Sequence, residues 1–373
     1  MEIPFLQNFF KPKGQSVLGI DIGSSSIKIV QLRKKGGKAI LETYGELALG
    51  PYAGTEIGRA TALPNEKIIE ALRDLMKEAN ATTKSTGISI STASTLLSFI
   101  KMPDMDQKQL ANMIPIEARK YIPVPITEVT LDWWIVPKEE NSFSEFEKQP
   151  SQGEAPKEKS IDVLLVVIHN DVLNHLNQIS AGVNLETSFY EIEIFSSMRS
   201  VVDQSLESVM IFDMGAGSTK LYVIERGILR ASHTINRGSQ EITLALSRSL
   251  GMSVGDAEHI KRTVGISAEP ENKNINEVIT LNLDYVFSET ARVVSAYERK
   301  YNKSISKIIL TGGGTLLRGL LEVARTRFQT EVVLGDPFSK TEAPAFLEPV
   351  LRNAGPEFAV AIGIALRKLQ EEE

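Results

Sequence analysis

The sequence predicts an α/β protein built from two related lobes. A strand–turn–strand unit with an Asp-x-Gly turn occurs twice, and every matched pair of residues lies 192 positions apart. Strand-like and helix-like hydrophobic periods alternate along the chain. A triple glycine follows a short apolar run and precedes a helical stretch. A repeat spaced this widely points to two related domains rather than a solenoid. The 373 residues also allow two or three domains at about 150 residues each.

Val17 to Asp21 reads as a buried strand. Ile27 to Leu32 alternates as a second strand, and Gly36-Gly37 turns the chain into a third near Ala39 to Leu47. Pro51 to Pro64 is loop. Asn65 is placed to cap a helix to about Ala79, with Ile68, Ile69, Leu72, Leu75 and Met76 on one face. Ile88 to Ser91 and Leu96 to Met102 are strands. Asp106 caps a helix expected to reach Tyr121, with Pro115 kinking it. Val129 to Val136 is a strand in which Trp133 and Trp134 must point to opposite faces. Lys138 to Ser160 has few apolar residues and reads as a long flexible excursion before the strand Ile161 to Ile168. Val209 to Asp213, Leu221 to Ile224 and Ile228 to Ile235 are strands, and Gly238 to Tyr301 is mostly helical. Lys307 to Leu310 and Glu331 to Leu334 are the last strands. Helices are expected from about Leu316 and over Gly355 to Leu369.

Composition removes several function classes. Lys plus Arg is 41 against 47 Asp plus Glu, a net charge of −6. Such a chain has no general attraction for nucleic acid. The absence of cysteine excludes disulfides, thiol nucleophiles and Cys-ligated zinc. The four histidines form no H-x-x-x-H pair. The longest aliphatic run, Val163 to Ile168, is far short of the roughly 20 residues of a membrane span. The N-terminus carries Ile3, Phe5, Leu6, Phe9 and Phe10 but no basic stretch ahead of them, so it is not a secretory signal. These features predict a cytoplasmic protein.

The repeat carries the chemistry. Leu18 to Val30 reads LGIDIGSSSIKIV, and Met210 to Val223 reads MIFDMGAGSTKLYV. Asp21 matches Asp213, Gly23 matches Gly215, Ser26 matches Ser218 and Lys28 matches Lys220. A glycine at such a turn lets backbone N–H groups approach phosphate oxygens, and hydroxyls at the tip add donors. An Asp at the strand end suits Mg²⁺ held through water. One such hairpin alone is an ordinary Gly-rich turn; two matched copies favour a clamp on a polyphosphate and its metal. There is no Walker A loop. The Gly215-Ala216-Gly217 turn leads into a strand rather than a helix, so it is not a dinucleotide fingerprint. Strand alternation leaves Lys28 and Lys220 either as phosphate ligands or as outward residues. Thr311-Gly312-Gly313-Gly314-Thr315, between strand and helix, offers bare backbone to an adenosine or a phosphate.

Hairpin, second hairpin, strand-GGG-helix and a C-terminal helix rich in small residues (Ala359 to Ala365) occur in an order that resembles the actin, sugar-kinase and heat-shock ATPase superfamily. Within it the chain is similar to the PilM family of type IV pilus assembly proteins, relatives of the division protein FtsA. The residues that carry this are FFKPKGQSVLGIDIGSSSIKIVQL near the start, EARKYIPVPITEVTLDW at Glu117 to Trp133, GMSVGDAEHIKR at Gly251 to Arg262 and ILTGGGTLLRGL at Ile309 to Leu320.

The resemblance implies an actin-like two-lobed ATPase fold, made of duplicated ribonuclease H-like domains with an FtsA-type (SHS2-like) inserted subdomain. Lobe 1 would take residues 1–86, 186–207 and 350–373, the insertion 87–185, and lobe 2 residues 208–349 with a helical part at about 238–301. ATP and Mg²⁺ would occupy the interlobe cleft. Asp21, Gly23, Ser24, Ser25 and Lys28 would hold the first phosphate side. Asp213, Gly215, Gly217, Ser218 and Thr219 would hold the second, with Asp21 and Asp213 binding Mg²⁺ through water. Gly312, Gly313 and Gly314 would lie under the adenosine. Glu258 and Lys261 match the family's helical motif and would touch sugar or base, although their spacing also fits a solvated helix face. Glu191 and Glu193 fall where catalysing members position the attacking water, with Glu193 the candidate; turnover itself does not follow.

The resemblance also implies a partner, the cytoplasmic N-terminal segment of PilN, and through it PilO and the pilus motor, with self-association a further option. The protein would then lie peripherally at the inner membrane. Two other readings use the same fold. A small-molecule kinase would need a larger substrate domain and a base Asp in a motif. A filament-forming FtsA-like protein would carry an amphipathic membrane helix, whereas this chain ends KLQEEE.

Overall fold

The computed structural model describes residues 16–137, 160–203, 206–267 and 269–371. The apolar N-terminal segment and all of the expected 138–160 excursion except Ser160 lie outside them. The chain forms two compact units, one of residues through Ser91 and from Leu176 onward, the other of Thr92–His175. The insertion expected at 87–185 compares with this Thr92–His175 unit.

Strands β1 (Ser16–Ile22), β2 (Ser26–Lys35) and β3 (Lys38–Ala48) form an antiparallel meander. Helix α1 (Asn65–Glu78) and β4 (Ser85–Ile90) follow. The smaller unit holds β5 (Thr95–Pro103), α2 (Gln107–Ala118), β6 (Val129–Val136) and β7 (Ser160–His169). Next come α3 (Asn170–Gly182), β8 (Glu186–Ile192) and α4 (Glu193–Val201). A second meander, β9 (Ser208–Met214), β10 (Thr219–Glu225) and β11 (Ile228–Ile235), leads to α5 (Ser239–Leu250), α6 (Val254–Thr263) and α7 (Lys273–Tyr301). The chain closes with β12 (Ile305–Thr311), α8 (Leu320–Arg327), β13 (Glu331–Leu334), α9 (Glu348–Ala354) and α10 (Ala359–Glu371).

The larger unit contains two five-stranded sheets, ordered β3-β2-β1-β4-β8 and β11-β10-β9-β12-β13. In each, a three-stranded meander is extended from its first strand by two parallel strands. The sequence repeat is therefore a repeat of topology, one copy per lobe. Every residue of β9 is buried, as expected for a central strand covered on both faces.

Helix α10 explains its own small residues. A Cβ added to Gly19 on β1 would lie 2.0 Å from the Ala361 carbonyl oxygen, and one on Gly363 would lie 1.9 Å from that of Ser196. α10 thus packs backbone against backbone on β1 and α4, a separation that larger side chains would forbid. Across this contact Glu191 is bound by Arg199 at 2.6 and 2.8 Å and by Arg367 at 3.0 Å, with Ser196 donating at 2.5 Å.

In the smaller unit, β7 is central in the order β5-β7-β6. Its core joins Ile100 and Met102 of β5, Val163, Leu165 and Val167 of β7, and Leu110 and Ile114 of α2. Asp106 caps α2 as expected, accepting from the Gln109 N–H at 2.8 Å while the Gln109 side chain accepts from the Asp106 N–H at 3.3 Å. The helix passes through Pro115 and ends at Ala118 rather than Tyr121.

Three helix starts differ from expectation. Asn65 is the first helical residue of α1, not its cap, because Pro64 already holds the extended cap conformation. Its side chain instead donates to Gln178 at 2.7 Å. A single 3-10 turn spans Gly313–Leu316, beginning inside the triple glycine, and α8 begins only at Leu320, since Gly319 adopts a left-handed conformation between them. The last helix likewise opens as a 3-10 turn over Gly355–Phe358 before α10.

Candidate functional site

The two Asp-x-Gly turns fold alike. The Gly23 N–H donates to the Ser26 carbonyl at 3.0 Å, and the Gly215 N–H to the Ser218 carbonyl at 2.9 Å. Asp21 is the register partner of Lys28 across β1 and β2, and Asp213 that of Lys220 across β10 and β9. Directly opposed residues share a face of the sheet. Both lysines therefore lie beside their own aspartate rather than pointing outward. The tips face one another: the Ser24 hydroxyl is 3.6 Å from where a Cβ on Gly217 would lie.

Between the hairpins the charges alternate. Ser89 on β4 donates to Asp21 at 2.8 Å. Lys220 binds Glu193, the first residue of α4, at 2.6 Å, and Ser91 donates to the same carboxylate at 3.4 Å. Lys28 reaches the Ser26 hydroxyl at 2.6 Å and Glu46 of β3 at 3.1 Å. Burial pushes the Asp213 carboxyl up to about 6, against the pull of Lys220. Asp21 is raised too, by burial first and with Lys28 opposing. Lys28 and Lys220 are both raised: burial would lower them, but the surrounding carboxylates more than offset it. Aspartates that cling to protons in this way are short of positive charge, and a cation would supply it.

Gly312 has φ +84°, and a Cβ on it would sit 2.4 Å from the Asp213 Oδ1. The triple glycine thus wraps the end of β9 at bare-backbone distance from the metal-candidate carboxylate. Gly313 and Gly314 continue in the same turn, and Thr315 donates back to the Gly312 carbonyl at 2.7 Å.

Glu258 and Lys261 are buried on α6, not on a solvated face. Their side chains meet at 2.6 Å, Arg262 binds the other Glu258 oxygen at 2.8 Å, and Thr243 donates to Glu258 at 2.7 Å. Burial alone would raise Glu258, but Lys261, Arg262 and Thr243 leave it below the usual carboxylate range. Burial lowers Lys261.

Other expected residues have structural duties. Thr219 is fully buried, and its hydroxyl donates to the Arg237 carbonyl at 2.8 Å. The Ser25 carbonyl accepts from the Leu49 N–H at 2.8 Å. Of the two glutamates proposed for water positioning, Glu191 is held in the arginine knot under α10, while Glu193 stands beside Lys220. Among the described residues no three His, Asp or Glu side chains cluster closely enough to hold a metal by themselves.

Sequence reasoning missed a strap. The loop between β3 and α1 crosses from one lobe to the other. The Thr61 N–H donates to the Ser24 carbonyl at 2.8 Å, Glu56 accepts from the Gly255 N–H at 2.8 Å, and the Ala60 N–H donates to Gln240. Gly58 packs directly on Glu258. Glu46, Ser89, Ser91, Arg262 and Glu357 were also missed. The register of β3 could have found Glu46; nothing in the sequence marked Glu357.

With this geometry in view, comparison with known proteins decides the family. A family model described as "Type IV pilus assembly protein PilM" matches residues 19–369. The chain belongs to the PilM family. Among solved structures, a PilM–PilN type IV pilus biogenesis complex superposes with TM-score 0.78 at 24% identity, covering 95% of this chain and 99% of that one. MreB5 of Spiroplasma citri bound to ADP gives 0.54 at 10% identity, with 97% and 98% covered. These likenesses show the actin-like two-lobed fold. FtsA of Rhizobium meliloti (strain 1021) is 26% identical over 196 residues, 46% of this chain and 43% of that protein. FtsA of Bacillus subtilis (strain 168) is 25% identical over 154 residues, 36% and 35% of the two chains. The chain thus spans less than half the length of the curated relatives it matches.

Proposed function

We propose that this PilM-family chain is an ATP- and Mg²⁺-binding scaffold of the type IV pilus assembly platform. The observation that carries this is the pair of facing D-x-G hairpins, each with a buried Asp–Lys register pair, and with bare glycines against Asp213. Gly23 and Gly215, whose own N–H groups close the turns, would let the tips at Ser24, Ser25, Gly217 and Ser218 approach phosphates together with Lys28. Asp21 and Asp213 would hold Mg²⁺ through water. Gly312, Gly313 and Gly314 would support the adenosine, with Glu258 and Lys261 at the sugar or base. Mg²⁺ would neutralise phosphate charge.

Glu193 is the candidate for orienting a water, yet it is closed on Lys220. That pairing favours a protein whose nucleotide state biases conformers and turns over slowly or not at all.

The partner proposed is the N-terminal segment of PilN, the companion in the PilM–PilN complex that shares this fold, with PilO and the motor reached through it. Self-association is the further option. The Thr92–His175 unit offers an apolar row for such a peptide. Phe99 and Trp134, 39% and 45% exposed, both pair in register with Leu164 and so share one face of the sheet. Among the described residues no helix is long and apolar enough to cross a membrane, so membrane association would come through PilN. Titrating ATP with Mg²⁺ into the protein, with and without a PilN peptide, tests the reading. Tight binding with negligible turnover supports it; turnover driven by a small metabolite, with no peptide binding, overturns it.

A further inference from the structure

We infer that the strap between β3 and α1 is a gate on the candidate nucleotide site, one that must unfasten from lobe 2 before a nucleotide enters or leaves. The inference rests on the ATP-binding reading above. Both ends of the strap are pinned to the first D-x-G turn: the Leu49 N–H donates to the Ser25 carbonyl and the Thr61 N–H to the Ser24 carbonyl, each at 2.8 Å. The residues between them form a compact loop with neighbouring ends, a type often used for function. Its far side reaches lobe 2 at three points. Glu56 accepts from the Gly255 N–H at 2.8 Å, the Ala60 N–H donates to the Gln240 side chain, and the bare backbone of Gly58, at φ +98°, lies against Glu258. Gln240 in turn donates its own N–H to the Ala216 carbonyl at 3.0 Å. An unbroken series of contacts therefore runs from the tip of the first turn, through the strap, to the tip of the second.

These contacts span the way in. The Ser24 hydroxyl lies 3.6 Å from where a Cβ on Gly217 would be. With the tips this close, a polyphosphate passes between them only if the lobes part, and parting the lobes must break the series somewhere. On the lobe 1 side the strap is held by two backbone bonds and by the covalent run into β3 and α1. The lobe 2 side is more readily exchanged for water. Glu56 is exposed. Gly255 is one of the N-terminal donors that α6 itself leaves unpaired, its neighbour Asp256 donating to Ser253 at 3.0 Å. The Thr61 hydroxyl is enclosed with no hydrogen-bond partner among the described residues. Opening the strap gives it water, which offsets part of what the broken bonds contributed. The strap is thus fastened firmly to one lobe and lightly to the other, as a gate requires.

The sequence has no cysteine, and a Cβ on Gly255 would lie 3.9 Å from the Glu56 Cβ, within the reach of a disulfide. Glu56→Cys with Gly255→Cys in the full chain, once oxidised, bolts the strap to α6. Stopped-flow binding and chase of a fluorescent ATP analogue with Mg²⁺ should then show entry and exit both slowed by at least about tenfold relative to the same protein reduced. Glu56→Ala with Gln240→Ala should do the opposite, speeding both by about fivefold while Kd stays within about twofold. Loss of an ordinary ligand contact raises the dissociation rate and Kd together, so the paired change in rates separates a gate from a binding wall. Equal rates in the oxidised and reduced protein, or faster exit with unchanged entry in the alanine variant, overturn the inference and leave the binding reading standing. Absence of ATP binding by the wild-type chain overturns the binding reading itself, and the gate with it.

Discussion

Lys220 on β10 holds the Glu193 carboxylate at the start of α4 at 2.6 Å, with both side chains largely buried. The second D-x-G turn is thereby tied to the carboxylate proposed to orient a water. Removing one partner of a buried pair strands the other charge, which costs roughly 3–5 kcal/mol, whereas removing both costs far less. Lys220→Met should lower thermal stability sharply, and Lys220→Met with Glu193→Met should recover most of the loss. A double-mutant cycle in denaturant measures the coupling, expected to exceed about 2 kcal/mol. A coupling near zero would mean the pair is no lock.

The aspartates should cost stability in the absence of ligand. Asp213 is pushed up from 3.8 to about 6. A carboxyl with a raised folded value favours the protonated form, so stability falls as pH rises between these two values and the cost is complete above them. Asp213→Asn should therefore raise the unfolding free energy at pH 7.5 by on the order of 1–3 kcal/mol, seen as a higher melting temperature, and the gain should vanish below about pH 4. The same substitution together with Asp21→Asn should remove MgATP binding. A more stable protein that no longer binds is the outcome expected of residues kept for function. A destabilised double variant at pH 7.5 would contradict this account.

Gly312 allows a close approach at the site. A side chain there meets the Asp213 Oδ1 at 2.4 Å and must hold φ +84°. Gly312→Ala should cost about 1–3 kcal/mol from the backbone conformation alone and displace Asp213. Nucleotide titration should show affinity lost by at least about tenfold while the secondary structure, followed by circular dichroism, stays intact. Unchanged affinity would show that the triple glycine has no part in binding.

The periodic parts of this fold were legible in the sequence because local pattern decides them. β6 and β13 have the bounds read from the largely apolar segments Val129 to Val136 and Glu331 to Leu334. The repeated hairpins were legible because a D-x-G turn is a local feature. What was not legible came from packing between distant segments. Whether Lys28 and Lys220 face the cleft depends on strand pairing, which spacing alone left open. Glu357 owes its place to a latch between Pro356 and Gly312, 44 residues apart. The strap from Glu56 to Thr61 has loop composition and acquires its partners only when both lobes are formed.

The adjacent tryptophans offer the most direct test of the partner assignment, because their sequence position required opposite faces and the structure provides them. Trp133 packs on the core of the Thr92–His175 unit, while Trp134 is 45% exposed. Trp133→Ala should cost roughly 3 kcal/mol by opening that core, with a matching loss of melting temperature. Trp134→Ala leaves that core closed and should cost less than Trp133→Ala, although more than half of the Trp134 surface is covered. If the row of Phe99, Leu164 and Trp134 receives the PilN segment, Trp134→Ala should weaken peptide binding by at least about tenfold, an aromatic anchor being worth 1–2 kcal/mol or more. Fluorescence anisotropy of a labelled peptide measures this against wild type and Trp133→Phe. Equal affinity in Trp134→Ala would move the peptide to another surface, with ATP binding untouched.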